Sequence, residues 1–521
     1  MVWSSLPRSN LRRSCRGHRR AEQSREDVIV STPTVADAPQ KGFFGHPRGL
    51  LTLFFTEMWE RFSYYGMRAI LAYYLYYAVS EGGLGIPEST ALSVVGVYGA
   101  SVYMTGVLGG WLADRVVGAQ RAVLYGGVII MLGHIGLALP GGMTTVLIGL
   151  VLLVIGTGLL KPNVSGLVGG LYSEQDDRRD AGFSIYYMGI NLGAFIAPFV
   201  VGTLGEKVNW HLGFGAAAVG MALGLIQYTL GRKNLGSAGL VPVNPLPAEH
   251  KGRVLGRAGG IALGVVVVLV ALSATGMMGL DGLVNLISII SAVLPIIYFV
   301  VMLSSKEITK VERDRLIAYI PLFLATALFF LLFEQQPNTL ANLAEADTDL
   351  NVLGFAVPAS WFQSVNPLAI ILLAPVMAGL WMKLGARQPS TPQKFVGGLL
   401  FVGVSFLWVV LSKFAAGDDG KHLPIMLALV FVIMTVGELM LSPVGLSATT
   451  KLAPKVFTSQ MMGLYFLAPA MGQGLGAQAV KLYSVENQQL YFSIVGIATI
   501  GCAVLLLVSA RVIKRYMHGV N

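Results

Sequence analysis

The sequence predicts an all-α membrane protein of fourteen transmembrane helices, and three observations carry that prediction. Hydrophobic residues make up 54% of the 521-residue chain and charged residues only 12%, where a soluble domain carries roughly 25% charged. Apolar segments follow one another from Leu50 almost to the end. Most reach or exceed the roughly 20 residues that span hydrocarbon, where only helices satisfy their own backbone. Finally, the basic residues sort by side. Of 37 Lys and Arg, thirty fall in tails and loops of one side, three (Arg61, Arg68, Lys161) lie within helices, and four (Lys207, Lys413, Lys421, Lys481) sit on or near the other. This is the positive-inside asymmetry, and it places both termini in the cytoplasm of a cell inner (plasma) membrane protein. The net charge of +10 therefore reports orientation and not a nucleic-acid partner.

The elements follow in order. Residues 1–45 are polar and arginine-rich without the apolar stretch of a secretory signal, and are expected to form a disordered cytoplasmic tail. A first six-helix bundle, 46–231, contains segments at 50–79, 89–114, 121–139, 144–171, 181–205 and 211–231. A cytoplasmic linker (232–256) leads to an inserted helix pair (257–303) with segments at 257–277 and 281–303. After a cytoplasmic loop (304–314), a second six-helix bundle (315–515) contains 315–341, 358–384, 394–415, 423–450, 458–482 and 489–513, before a short tail, 516–521. An even number of spans agrees with termini on one side. The halves resemble each other: Gly158-Leu-Leu-Lys161-Pro162 aligns with Leu439-Met-Leu-Ser442-Pro443, and Gly110-Trp111 with Gly379-Leu-Trp381. Such repeats are the mark of transporters built from two related bundles. The inserted pair, with Asp281 in its outer turn, is expected at the periphery.

Charges inside the membrane come next. Glu57, Glu60, Arg61, Tyr64, Tyr65 and Arg68 fall at offsets 0, 3, 4, 7, 8 and 11, so they share one face of the first helix. Lys161 lies mid-way along the fourth segment, Glu334 in the ninth and Glu438 in the twelfth. Each ionised group at a helix centre costs about 2.5–3.5 kcal/mol, so the five in the first half would cost roughly 12–17 kcal/mol against lipid. They must face one another or a wet cavity. A single Glu60–Arg61 pair could merely lock helices together, but seven groups converging from four segments point to function. The first half contributes a surplus of one positive charge and the second half two negatives. A cavity between them suits a zwitterion, with its carboxylate toward Arg68 and Lys161 and its ammonium toward Glu438. Four acids against three bases leave one carboxylate unmatched and suited to bind and release a proton.

Glu57-Met-Trp-Glu60-Arg61-Phe62 followed by Tyr64-Tyr65-Gly66 resembles the first signature of the proton-dependent oligopeptide transporter family, within the major facilitator superfamily. Phe183-Ser-Ile-Tyr-Tyr187-Met-Gly-Ile-Asn191-Leu-Gly resembles its second signature, and Gly109-Gly-Trp-Leu-Ala-Asp114-Arg115 the superfamily motif after the second helix. The resemblance covers about residues 45–515, including the inserted pair of bacterial members. It implies a major facilitator fold and proton-coupled import of di- and tripeptides by alternating access. It assigns proton coupling to Glu57, Glu60, Arg61 and Lys161. Substrate contacts would come from Tyr64, Tyr65, Arg68, Tyr103, Lys161, Asn191, Glu334, Asn366, Glu438 and Ser442. Phe330 occupies a position where many bacterial members carry tryptophan, which changes the shape of an apolar side-chain pocket. The pairs Arg68–Glu334 and Lys161–Glu438 would serve as alternating gates.

Competing readings have less behind them. A same-fold symporter of nitrate or of an amino-acid conjugate is the alternative within transport, and a non-transporting membrane receptor the alternative outside it. An enzyme would need a nucleophile–base pair or a metal cluster, and the sequence presents neither. The seven histidines lack ligand spacing, and Cys15 and Cys502 form no framework. No cofactor or metal is expected. The partners expected are a small peptide, protons and the bilayer, with the chain acting as a monomer.

Overall fold

The computed structural model describes residues 42–520 apart from 174, 248, most of 255–278 and 417–419. Backbone groups in hydrocarbon find partners only within a helix or a closed barrel, and the apolar segments fold as helices. The first half comprises α1 (Arg48–Tyr76), α2 (Glu88–Leu112), α3 (Ala119–Ala138), α4 (Gly142–Gly170), α5 (Arg179–Ala197) and α6 (Trp210–Gly231). α5 continues through a π-turn at Pro198–Gly202 into a last turn, Thr203–Lys207. Then come α7 (Leu280–Ser304), α8 (Lys310–Phe333), the short α9 (Thr339–Ala346), α10 (Val365–Leu384), α11 (Thr391–Ala416), α12 (Pro424–Leu452), α13 (Thr458–Ala479) and α14 (Gln488–Tyr516).

Eleven helical runs among the described residues are long and apolar enough to cross a membrane. α1 and α13 are as long but more polar, α1 through its charged stripe and α13 through its glycines and glutamines. The expected span at 257–277 and the expected tail at 1–45 lie almost wholly outside the described residues.

Small residues set the packing within each half, as expected where helices associate without a hydrophobic drive. α3 and α4 meet where Gly126 faces Gly156; a Cβ on Gly156 would stand 2.7 Å from the Gly126 carbonyl. α11 and α12 meet the same way, with a Cβ on Gly437 falling 2.9 Å from the Gly398 carbonyl. Gly156 precedes Pro162 by the same six residues that separate Gly437 from Pro443, and both prolines lie inside their helices. The internal repeat is thus structural. α1 runs through the first half packed against α5 and α6, which buries its charged stripe.

One detail differs from the sequence expectations, and a second is made more specific by the structure. The segment read as 315–341 is interrupted: α8 ends at Phe333, the chain turns through 334–338, and α9 follows. Pro337 lacks the N–H that a continuing helix needs and restricts the residue before it. Glu334 consequently sits at a helix end. α7, expected at the periphery, does expose one face, but buries Val284, Ser288, Ser291, Phe299 and Met302. Gln478 Nε2 donates to Ser288 Oγ (2.9 Å), Lys481 Nζ to Asn285 Oδ1 (2.8 Å) and Thr90 Oγ1 to Asp281 Oδ1 (3.3 Å). It therefore covers the seam between α2 and α13.

The start of the linker is docked on the first half. Asn244 N–H donates to the Asp114 carbonyl (2.9 Å) and Leu246 N–H to that of Arg115 (3.0 Å), while Gln120 Nε2 donates to the carbonyls of Gly236 and Ala238.

Candidate functional site

The stripe on α1 is buried and faces the second half. Arg61 Nε lies 3.1 Å from Glu57 Oε1 and 2.5 Å from Glu60 Oε2. Neither contact is aligned as a hydrogen bond, and both Glu60 oxygens and Arg61 Nη2 also have no hydrogen-bond partner. The three charges are held close in the protein interior, an arrangement sensitive to any change in protonation. Tyr64 stands between two guanidinium groups, its ring centroid 5.1 Å from Arg61 Cζ and 5.8 Å from Arg68 Cζ.

Across the interface, Arg68 Nη2 donates to Glu334 Oε2, joining the halves through a buried ion pair. The turn that ends α8 places Glu334 there. Lys161, one residue before the helix-internal Pro162, holds its ammonium 4.3 Å over the Tyr103 ring. Asn191 Nδ2 donates to the Tyr187 carbonyl of its own helix (2.9 Å). On the opposite wall, Asn366 Nδ2 donates to Thr435 Oγ1 (2.8 Å) and to Glu438 Oε2 (3.2 Å).

These groups converge on one cavity of about 220 Å³ between the halves. Its first-half wall includes Glu57, Arg61, Tyr65, Arg68, Lys161 and Asn191, and its second-half wall Glu334, Asn366 and Glu438. Glu60, Tyr64, Tyr103, Phe330 and Ser442 are not among the lining residues. Glu60, Tyr64 and Tyr103 stand directly behind it, against Arg61, Arg68 and Lys161. Phe330 packs on Phe329 and Phe333, and Phe333 is the phenylalanine that reaches the cavity. The Ser442 hydroxyl is buried without a partner, and its carbonyl accepts from Tyr465 Oη (3.0 Å). Tyr187, Gln336 and Gln363 add polar groups to the lining that the sequence reading left unassigned. Tyr187 alone carried a signal, since it stands within the second signature; the two glutamines look like any packing amide.

With the basic loops taken to mark the inner face, the cavity is closed outward. Hydrogen bonds between the halves gather at the outer end. Besides Arg68–Glu334, Tyr73 Oη donates to the Ala341 carbonyl (2.9 Å), Tyr77 Oη to Glu345 Oε1 (2.8 Å) and Trp361 Nε1 to Thr203 Oγ1 (2.9 Å). Toward the inner face a larger cavity of about 760 Å³ begins at Tyr187, which lines both spaces, and extends past Trp381, Lys394, Ser447 and Lys451. Lys161 and Glu438 form no ion pair in this conformation. One of the two cross-bundle pairs is therefore closed and the other open.

The model of the POT family matches residues 120–496. An uncharacterized transporter of Bacillus subtilis, YclF, is 50% identical over 496 residues, spanning 94% of this chain and 99% of that protein. A di-/tripeptide transporter of Lactococcus lactis subsp. cremoris is 44% identical over 495 residues, 92% of this chain and 99% of the relative. The crystal structure of a peptide transporter POT in complex with sulfate superposes with a TM-score of 0.90 at 54% identity, covering 93% of this chain and 99% of that one.

Proposed function

This chain belongs to the POT family of transporters, and on that premise we propose that it imports di- and tripeptides together with protons by alternating access. The observation that carries this reading is the division of charge across one cavity between the halves: Arg61, Arg68 and Lys161 outnumber Glu57 on one wall, and Glu334 and Glu438 stand on the other. A short peptide is a zwitterion with its charges a few ångströms apart. Its carboxylate pairs with Arg68 and Lys161, with Tyr65 beside them. Its ammonium is received by Glu438 and by the amides Asn191 and Asn366. A simple anion such as nitrate would use only the first wall.

Coupling follows from the same charges. Protonation within the Glu57–Glu60 pair removes negative charge from Arg61, which frees the guanidinium and shifts the balance at neighbouring Lys161. The peptide carboxylate competes with Glu334 for Arg68, loosening the outer pair. The inner pair, Lys161–Glu438, closes when the outer one opens, and the two halves rock about the cavity. Both termini lie in the cytoplasm, the membrane is the plasma membrane, and a single chain suffices.

The test is uptake of labelled dialanine into liposomes containing the purified protein, with and without an inward proton gradient. Gradient-driven accumulation in the parent and its loss in Glu60→Gln and in Lys161→Ala is the expected result. Absence of uptake by folded, oriented protein would remove the peptide assignment and leave the transporter fold.

A further inference from the structure

The outer seam contains a contact that the charged cavity does not account for. The helix leading into α10 begins with a 3-10 turn, Ala359–Ser364, whose N-cap is Pro358 and which has no side-chain cap of its own. Proline supplies no side-chain acceptor, so the first amides of this helix are orphan donors unless something else reaches them. The acceptor comes from the other half. Glu206, in the last turn of the α5 run, accepts from Ala359 N–H through Oε2 (2.9 Å) and from Ser360 N–H through Oε1 (3.0 Å). Each carboxylate oxygen takes one amide, and an ionised acceptor makes stronger hydrogen bonds than a neutral one.

The surroundings fit that contact closely. A Cβ on Gly202 would overlap the Ser360 side chain, so a glycine there admits the helix start. One turn away Trp361 Nε1 donates to Thr203 Oγ1, and Ser364 Oγ donates to the Phe195 carbonyl (2.8 Å). All of these acceptors belong to α5 and its continuation, and all of the donors to the helix start of the second half. Glu206 itself lies outside both signatures and one residue beyond the segment read as 181–205.

We propose that Glu206 is the outer latch of the transport cycle: a positioning residue that holds the halves together on the outer side by capping the α10 helix start, and that must let go for the cavity to face outward. This rests on the two-half cycle proposed above. A carboxylate bound to two backbone amides competes with water on both sides when the seam opens, so its strength biases the resting molecule inward without touching substrate. Because water takes over both partners when the seam opens, losing it shifts the equilibrium only by the small net worth of two exchanged hydrogen bonds, about five- to thirty-fold.

The experiment reads the seam directly. Ala341, buried where Tyr73 closes on it, is replaced by cysteine in a background carrying Cys15→Ser and Cys502→Ser, and its reaction with a membrane-impermeant maleimide is timed from the outside of oriented liposomes. Labelling is expected to quicken about tenfold in Glu206→Ala and by a smaller factor in Glu206→Gln, which keeps one carbonyl acceptor. The thermal midpoint in detergent checks the fold of each variant, and Glu206→Gln carries the test if the alanine variant does not fold. Labelling rates equal to the parent in a folded Glu206 variant would overturn the latch. No substrate is needed, so faster labelling in a protein that fails to take up dialanine would leave the latch standing and sink the peptide reading alone. Unchanged labelling in a protein that does take it up would do the reverse.

Discussion

Arg61 is the residue on which the coupling argument turns. Its Nε lies within ion-pair distance of two carboxylates, Glu57 and Glu60, while its ring-facing side meets Tyr64. A guanidinium can serve two acceptors and an aromatic face at once because it is planar and carries five donors; an ammonium is a compact point charge. Arg61→Lys therefore keeps the sign of the site but loses its ability to hold both glutamates. The expected outcome is that accumulation of dialanine driven by a proton gradient falls at least about tenfold, while counterflow exchange of peptide for peptide stays within about threefold of the parent. Equal losses in the two assays would mean that Arg61 serves binding and not coupling. The charges themselves were legible in the sequence because ionised groups are costly in apolar segments, so their presence is informative one residue at a time. Amides are cheap there, and Gln336 and Gln363 line the cavity without any such mark.

Among helices, what the sequence could not convey is register. α8 offers Phe329, Phe330 and Phe333 on an apolar C-terminal stretch, and hydropathy alone does not say which ring meets the cavity; the packing selects Phe333. Its end at Phe333 was similarly hidden, because the residues after Pro337 return to an apolar pattern in α9. The repeat, by contrast, was visible in outline and becomes specific in its glycines. Gly156 and Gly437 occupy equivalent places, each facing a backbone carbonyl across a helix pair. Neither neighbour is a side chain that can swing aside. Gly156→Ala and Gly437→Ala are thus both expected to force their helix pairs apart, at about 1–3 kcal/mol each, and to lower the thermal midpoint by several degrees. A folding-reporter melt of the two variants checks this. A fall in one and not the other would mean that the two seams are less alike than their geometry.

At the scale of the molecule, the asymmetry between the two cross-bundle pairs has a consequence. Arg68–Glu334 is made and Lys161–Glu438 is not, the seam at Tyr73 is hydrogen-bonded, and a cavity of about 760 Å³ opens on the side of Lys394 and Lys451, the inner side in the orientation proposed above. Alternation requires that forming the inner pair be worth about as much as the outer contacts it replaces, since neither state can be strongly favoured in a working cycle. Ser447, exposed in the inner cavity, offers a place to measure this. With Ser447→Cys in the background carrying Cys15→Ser and Cys502→Ser, thiol reagent supplied from the inner side should react readily in the resting protein. Dialanine and a low outer pH, which drive the cycle, should slow that reaction several-fold by populating the outward state. In the proposed cycle, Lys161→Ala removes one member of the inner pair, so the outward state would lose a closing contact while the outer seam is untouched. Labelling in this variant is expected to stay at the resting rate whatever is added outside. Protection equal to the parent's would show that the inner side closes on contacts other than Lys161–Glu438.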